Sequence, residues 1–287
     1  MIYVTNCLTN DGFGSQFQLI ISLILVCIEN GYQFIYNPIH SLEHNYENDA
    51  NFICKANHTM NLSSKFPTIE YQSQVEELRI HICDMTVKYV IDADIEKYTK
   101  EESLKLIREM FWENKDRSLL FQGDSLKKLN LPSQATANLS SPSQATEKPS
   151  NTNVAIHIRR PNPHDANSFV DKDTPKDDYF YRVGTPDSYY LKVMQIIRES
   201  HSPEKPPLLF HIYSQGDVSL FNSFVSEDTV LHINSDVFLS FTEMVGADIL
   251  FTSFSSFSYI AAFLNEGTIY YHPFWHPPKN NWIQIPF

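Results

Sequence analysis

Apolar and polar residues follow two different periods along the chain, and together they predict strands and helices in alternation. The N-terminus reads "MIYVTN", a short strand, then the glycine-containing turn "CLTNDGFGSQ", then an apolar helix from about Ser15 to Glu29. Asn30-Gly31 is a typical helix end, and "YQFIYNP" predicts a second strand. The pattern therefore predicts a β-turn-α-β unit whose loop follows the carboxyl end of the first strand.

The rest of the N-terminal half is less regular. Residues 40–80 are polar and show no clear period. The segment "VKYVID" after them predicts a strand because it is rich in β-branched residues. The helix that follows is predicted from Leu104, Ile107 and Phe111, which recur at helical spacing.

The C-terminal half alternates regularly between short apolar runs and amphipathic segments. The runs "VAIHIR", "LLFHIYS", "TVLHIN", "DILFTS" and "TIYYH" predict strands. Between them, "PDSYYLKVMQIIRES", with Asp187 as its N-cap, "DVSLFNSFV", "VFLSFTEMVGA" and "SSFSYIAAFLN" predict helices. Such alternation is typical of a parallel, doubly wound sheet. We predict an α/β fold with two Rossmann-like domains facing a cleft.

A tract of low complexity separates the two halves. In residues 131–153 the pentamer PSQAT occurs twice among Ser, Thr, Asn and Pro, with almost nothing to bury. We predict a linker or surface loop there. The predicted units are an N-terminal Rossmann-like domain over 1–130, the linker over 131–153 and a C-terminal Rossmann-like domain over 154–287.

Composition and charge narrow the classes of partner. The chain of 287 residues is 42% hydrophobic and carries a formal net charge of −12, which argues against a nucleic-acid or anionic-membrane binder. The longest apolar run, Phe17 to Ile28, has about 12 residues where a bilayer needs roughly 20. We predict no membrane span and a cytoplasmic protein. The sequence predicts no particular oligomeric state.

Ligands of open parallel sheets bind outside the carboxyl ends of the strands. That rule selects four places: the loop 12–16, and the segments 157–160, 214–217 and 252–256. In "TSFSSFS", small hydroxyl residues begin a helix that directly follows a strand, and a helix N-terminus favours anions. The alternative is that Ser255 only caps the helix.

Two adjacent arginines end the strand "VAIHIR". The planar guanidinium group matches phosphate oxygens, so Arg159 and Arg160 predict a diphosphate site. The alternative is a solvent-facing ion pair with one of the many carboxylates. His157 shares a strand face with Arg159, opposite Ile156 and Ile158, and is either a core histidine or a site residue.

No metal is predicted. The aspartate pair Asp92 and Asp94 fits helix capping better than metal binding, and "DKD" at 171–173 lies in a polar stretch. The arginines and the helix N-terminus offer an alternative way to neutralise a leaving diphosphate. The chain lacks Gly-x-Ser-x-Gly, HExxH and GxxxxGK[ST], which disfavours common hydrolases and P-loop proteins, and "DGFG" supports NAD binding only weakly.

Three motifs in order resemble the fucosyltransferase superfamily that includes the α1,2-, α1,6- and protein O-fucosyltransferases. They are "HIRR" at 157–160, "HIYSQGD" at 211–217 and "DILFTSFSSFSYIAAFL" at 248–264, and "DGFGSQF" at 11–17 is similar to a fourth segment. The resemblance implies a GT-B fold, GDP-fucose as donor, a glycan acceptor, inversion at the anomeric carbon, and neither metal nor other cofactor. It also implies that the domain over 1–130 is the acceptor side and that the domain over 154–287 binds the nucleotide sugar.

The resemblance also implies residue roles. Arg159 would hold the β-phosphate, Ser255 or Ser256 with nearby backbone N–H groups would bind the diphosphate, and Asp236 would accept hydrogen bonds from guanine. The same strand ends and turns supply the other expected donor-binding residues: Gly12, Phe13, Gly14, His157, Arg160, Ser214 and Phe257.

The chemistry expected is a single displacement with Arg159 and the helix N-terminus stabilising the leaving group. No carboxylate aligns with the base of the α1,6 branch, so the local candidates are Asp165 with His164 behind it. Alternatives are another donor such as UDP-xylose or GDP-rhamnose, a non-catalytic nucleotide- or sugar-binding protein, and an NAD-linked oxidoreductase. The aromatic tail from Thr268 is predicted to pack on the first domain rather than to stack on sugars.

Overall fold

Two parallel sheets with flanking helices make up the computed structural model. It describes residues 2–45, 48–69, 81–84, 86–122, 151–160 and 184–286. The labels below number the described elements in chain order. The sheets belong to the two halves of the chain, and a cleft separates the carboxyl ends of their strands.

The N-terminal sheet has three described strands in the order β2-β1-β3. They are β1 (Tyr3–Asn6), β2 (Gln33–Ile35) and β3 (His81–Cys83), and both pairs are parallel. Helix α1 (Phe13–Asn30) connects the first two strands and ends, as predicted, at Gly31, whose φ of 67° is left-handed. The β-turn-α-β unit is confirmed.

The described part of the N-terminal half has four further helices: α2 (Phe52–Met60), α3 (Val87–Ala93), α4 (Ile95–Tyr98) and α5 (Glu101–Trp112). Single 3-10 turns occur at Leu62–Ser64 and Arg117–Leu119. The predicted strand "VKYVID" is wrong, because this segment forms α3. Val87 and Ile91 lie four residues apart and both are buried, so contacts with the core override the strand preference of the β-branched residues.

Among the described residues, the C-terminal sheet has six parallel strands in the order β6-β5-β4-β7-β8-β9. Their bounds are β4 (Thr152–His157), β5 (Leu208–Ser214), β6 (Thr229–Ile233), β7 (Ile249–Phe251), β8 (Thr268–Tyr271) and β9 (Ile283–Gln284). Strands β5 and β6 lie on one side of β4, and β7, β8 and β9 lie on its other side. The switch point at which such sheets bind ligands therefore lies between β4 and β7.

The described helices of this half are α6 (Asp187–Ser200), α7 (Val237–Gly246) and α8 (Ser256–Leu264), with a 3-10 helix at Val218–Phe224. The prediction that Asp187 is the N-cap of α6 is wrong. Pro186 is the N-cap, and Asp187 is the first helical residue. Its carboxylate instead accepts a hydrogen bond from Arg160 at 2.5 Å.

One hydrophobic core is shared by both halves of the chain. It joins α1 and α5 of the N-terminal half to α7 and α8 of the C-terminal half, and a second cluster lies between the C-terminal sheet and α6. At the centre of the shared core, the ring of Phe13 lies 5.3 Å from Phe238 and 5.2 Å from Phe241. The predicted α/β fold with two parallel sheets facing a cleft is confirmed, and the boundaries at 131 and 153 stay predictions.

The C-terminal segment after β8 packs on the N-terminal half, as predicted. The His276 imidazole lies 2.7 Å from the Asp92 carboxylate, and the Lys279 ammonium donates to the Thr99 carbonyl at 3.1 Å. Both contacts join residues about 180 positions apart. The end of the chain therefore ties the two halves together beside β8.

By length and composition, α1 could cross a membrane, since its 18 residues have a mean hydropathy of 1.4. In the fold, 72% of these residues are buried. They pack against α3, α5 and α8, as expected for a core helix.

Candidate functional site

The cleft between the two sheets has a volume of about 560 Å³ and holds the predicted donor site. Every residue predicted to bind the donor borders it: Gly12, Phe13, Gly14, His157, Arg159, Arg160, Ser214, Asp236, Ser255, Ser256 and Phe257. They come from the carboxyl ends of strands in both halves. The structure thus brings these residues to one place, and their roles toward a donor stay predictions.

Strand β4 carries His157 into the cleft wall. Val154, Ile156 and Ile158 belong to the cluster under α6, so the intervening residues face the other side. The His157 Nδ1 atom lies 2.7 Å from the Ser253 hydroxyl. Burial, reinforced by the charge of Arg159, lowers the pKa of His157 to about 3. The imidazole is therefore neutral at physiological pH and suits hydrogen bonding rather than proton abstraction.

The two adjacent arginines have different surroundings. Arg159 borders the cleft next to His157. Arg160 also reaches the cleft edge, but its guanidinium donates to Asp187 at 2.5 Å and to the Thr185 carbonyl at 3.4 Å, and it lies over the Phe221 ring. The predicted phosphate role therefore fits Arg159, whereas the partners of Arg160 make it chiefly a link between β4 and α6.

Helix α8 points its N-terminus at the cleft from the end of β7. Ser255 is its N-cap and accepts a hydrogen bond from the Phe257 backbone N–H at 3.3 Å. The capping alternative for Ser255 is therefore observed. Ser255 and Ser256 both still border the cleft, so the positive end of the helix faces the space beside Arg159.

The first turn of α1 approaches this helix end closely. A Cβ atom on Gly14 would lie 2.5 Å from the backbone N and Cα of Phe257, and one on Gly12 would lie 2.7 Å from the His44 ring. Phe13 is buried with 4% of its surface exposed. Phe13 and Gly14, predicted to bind the donor, therefore also pack the two halves together, and the small size of Gly14 is what allows the close approach to α8. Gly12 instead packs against His44 of its own half.

Two other predicted residues have their own partners. The Ser214 hydroxyl donates to the Ile158 carbonyl at 2.6 Å, which links the ends of β5 and β4. Asp236 is the N-cap of α7 and accepts from the backbone N–H groups of Phe238 and Leu239 at 2.9 and 3.0 Å. Its other oxygen lies 3.4 Å from the Lys55 ammonium.

Sequence reasoning missed most of the N-terminal wall of the cleft. The missed residues come from the polar stretch 40–52: Glu43, His44, Asn45, Asp49 and Phe52. Asp11 and Ser15, on either side of the predicted donor-binding residues 12–14, border the cleft as well. Trp275, with 48% of its surface exposed, closes the β8 end. Behind the wall, the Lys88 ammonium donates to Ser15 at 2.7 Å, and burial lowers the pKa of Lys88 to about 8. No periodic signal in the sequence marks any of them.

The predicted base Asp165 and its neighbour His164 lie outside the described residues. The carboxylates that border the described cleft are Asp11, Glu43, Asp49 and Asp236. Asp49 is paired with Lys55 at 2.7 Å and Asp236 caps a helix. Within the described ranges, no group of three or more His, Cys, Asp or Glu side chains has an arrangement that could hold a metal ion.

No protein-family model and no curated protein matches this chain. Solved structures with similar folds include the fucosyltransferase NodZ from Bradyrhizobium, at 10% identity and a TM-score of 0.43, covering 92% of this chain and 94% of that one. A variant of Arabidopsis thaliana FUT1 in complex with GDP has 10% identity and a TM-score of 0.40, over 98% and 72% of the chains. The E. coli heptosyltransferase WaaC has 12% identity and a TM-score of 0.36, over 99% and 93%. All three TM-scores are below 0.5. The function of this chain is therefore argued from its own residues and not from these structures.

Proposed function

We propose that this chain is an inverting, metal-independent glycosyltransferase that transfers fucose from GDP-fucose to a hydroxyl group of a glycan. The observation that supports it most is the meeting of Arg159 and the N-terminus of α8 at the switch point between β4 and β7. A guanidinium group and a helix N-terminus together favour a doubly charged phosphate group. The motif resemblance supplies the identity of the nucleotide and the sugar.

In the proposed step, a base takes the proton of the acceptor hydroxyl while its oxygen attacks the anomeric carbon. The bond between that carbon and the β-phosphate oxygen breaks, and GDP leaves from the opposite face with the electron pair. Arg159 and the N–H groups at the start of α8 stabilise the charge that grows on the leaving oxygen. Such preorganised donors often supply the largest part of catalysis.

We propose Asp165 as the base, as the sequence suggested. Its competitors on the described wall are Asp11 and Glu43, which border the cleft from the N-terminal half. His157 is a poor candidate, because a pKa of about 3 makes it a weak base. Asp165→Asn should lower kcat by at least about 100-fold with GDP affinity unchanged. If Asp11→Asn or Glu43→Gln does so and Asp165→Asn does not, the assignment of the base is wrong.

The proposal is tested by Arg159→Ala with GDP-fucose and a panel of glycans. Transfer and donor hydrolysis should both fall by about 10²–10³-fold, since one preorganised donor is worth that much. The activity of Arg159→Lys should lie between those of the wild-type protein and Arg159→Ala, because lysine keeps the positive charge but lacks the planar guanidinium group. Arg117→Ala is the control, since Arg117 is half exposed, pairs with Glu266 and does not border the cleft.

Three outcomes separate this proposal from its alternatives. Turnover with UDP-xylose or GDP-rhamnose, and none with GDP-fucose, would keep the reaction class and change the donor. Tight GDP binding without hydrolysis or transfer would instead indicate a binding protein. Loss of turnover in a chelator, restored by a divalent ion, would contradict the metal-independent part.

A further inference from the structure

One residue of the aromatic C-terminal segment differs from its neighbours in exposure. The chain has three tryptophans. Trp112 and Trp282 are 9% and 8% exposed, whereas Trp275 is 48% exposed and borders the cleft. Ligand sites are commonly lined by aromatic side chains, which lose contact with water when the ligand covers them. Trp275 therefore gives the cleft an accessible aromatic surface.

The position of the Trp275 ring is fixed by other rings and by its own turn. Its centroid lies 4.8 Å from that of Phe254, edge to face at 85°, and 4.5 Å from that of Phe274. The Tyr271 hydroxyl accepts from the Phe274 backbone N–H at 2.9 Å and donates to the His276 carbonyl at 2.5 Å. The turn is thus held on both sides of Trp275. A ring held in this way loses little conformational freedom when a ligand covers it.

The Trp275 ring lies beside the proposed diphosphate site, on the side away from the expected base. Phe254, which it contacts, directly precedes the α8 N-cap Ser255. In the sheet, β8 lies two strands from β4 on one side and β6 lies two strands from it on the other, each about 10 Å away. The motif resemblance expects guanine at Asp236, which follows β6. With the phosphates at Arg159, the β8 end of the cleft is left for the sugars.

A chain of contacts leads from Trp275 to the N-terminal wall of the cleft. The next residue, His276, has its imidazole 2.7 Å from the Asp92 carboxylate. The charge of Asp92 acts in turn on the buried Lys88 ammonium, which donates to the Ser15 hydroxyl at 2.7 Å. Ser15 borders the cleft. This end of the cleft therefore combines an aromatic face with polar groups, as the ring faces and hydroxyl edges of a carbohydrate require.

We propose that Trp275 binds a pyranose ring of the glycan acceptor by stacking against the face of its indole. A pyranose such as glucose or galactose presents several C–H groups on one face. These carry a small positive charge, which the negative face of an aromatic ring attracts. The hydroxyl groups around the edge of the sugar stay available to polar side chains and water. The inference rests on the proposed function, since it names the acceptor subsite of that cleft.

Acrylamide quenching of tryptophan fluorescence in the full chain tests saccharide binding without turnover. Because Trp112 and Trp282 are buried, Trp275 should give most of the quenching, and Trp275→Phe should remove most of it. With GDP present, saturating cellobiose, lactose or chitobiose should lower the quenching constant of the wild-type protein at least about twofold, since a bound ligand covers the indole. Sorbitol is the control, because this open-chain polyol has hydroxyl groups but no ring face.

A kinetic test uses the acceptor that the glycan panel identifies. Trp275→Ala should raise the KM for this acceptor by about tenfold and change the Kd of GDP less than about twofold. Trp275→Phe should recover most of the acceptor affinity, because the smaller ring keeps a stacking face. Tyr89→Ala is the matched control, since Tyr89 is an aromatic residue, 67% exposed, that does not border the cleft.

The outcomes separate this inference from the proposed function. Quenching that no saccharide reduces, or an acceptor KM that Trp275→Ala leaves unchanged, would overturn the inference while fucose transfer stands. Full protection of Trp275 by GDP alone, with weaker GDP binding in Trp275→Ala, would also overturn it and would show that the indole stacks on the nucleotide base. If GDP does not bind and no donor turns over, the proposed function fails, and protection of Trp275 by a saccharide would still support the stacking site.

Discussion

At the scale of single residues, neighbours in the sequence have separate tasks. Arg159 and Arg160 are adjacent, yet the first lies in the cleft wall beside His157 and the second is bonded to Asp187 of α6. Both residues follow β4, which ends at His157, and the contacts of Arg160 with α6 are what distinguish it from Arg159. We therefore expect the two arginines to differ in what their removal costs.

Removing Arg160 should destabilise the protein. Arg160→Ala deletes the hydrogen bonds to Asp187 and to the Thr185 carbonyl and leaves a partly buried carboxylate without this partner. Hydrogen bonds to charged groups are worth about 1.5–3 kcal/mol, so the free energy of unfolding should fall by about that amount. Urea unfolding measures it. Arg117→Ala, at a half-exposed pair with Glu266, should cost less than about 1 kcal/mol. Equal losses for the two variants would contradict the structural role of Arg160.

At the scale of elements, the sequence predicted what local period and turn chemistry determine. The helix α1 with Gly31 at its end, the C-terminal strands and the helix start at Ser255 all carry local signals. The error at α3 has a physical reason, since its β-branched residues become helical through burial against α1. The cleft wall at 43–52 was not predictable, because only tertiary contacts place these polar residues.

The contact between the starts of α1 and α8 depends on one glycine. By helix propensity alone, Gly14→Ala would stabilise α1 by about 1 kcal/mol. The added Cβ would lie 2.5 Å from the Phe257 backbone, so the helices must separate. Overpacking of this kind costs about 1–3 kcal/mol, and we expect a net loss of stability and weaker GDP binding. Thermal unfolding and a GDP titration measure both, and a rise in melting temperature would show that the helices do not meet as described.

At the scale of the whole molecule, several buried histidines are held neutral. Burial lowers the pKa of His157 and His211 to about 3 and that of His232 and His272 to about 4, with help from Arg159 at His157 and from His232 at His211. The His211 Nδ1 and His232 Nε2 atoms are 2.9 Å apart, a contact that requires one ring to accept. The folded state thus binds fewer protons than the unfolded chain below pH 6.5.

Stability should therefore decrease on mild acidification. The contribution of these neutral histidines to the free energy of unfolding is fully present above the ordinary histidine pKa of about 6.5. It is lost as the pH falls toward 4, by up to about 1.4 kcal/mol per pH unit for each histidine. Burial raises the pKa of Glu243, and this group therefore favours the folded state on acidification. It is a single group, whereas four histidines have the opposite effect. Urea midpoints at pH 7.5, 6.5, 5.5 and 4.5 measure the trend. His232→Asn should flatten it, and a constant midpoint would contradict it.

The common core of the two halves has a consequence for how the chain can be divided. A self-sufficient domain has its own hydrophobic core, but here α1 and α5 complete the packing of α7 and α8. Either half made alone would expose this apolar surface and aggregate. Two polypeptides cut within residues 131–150 and produced together should instead recognise each other through that surface and recover activity, a non-covalent heterodimer from a single gene.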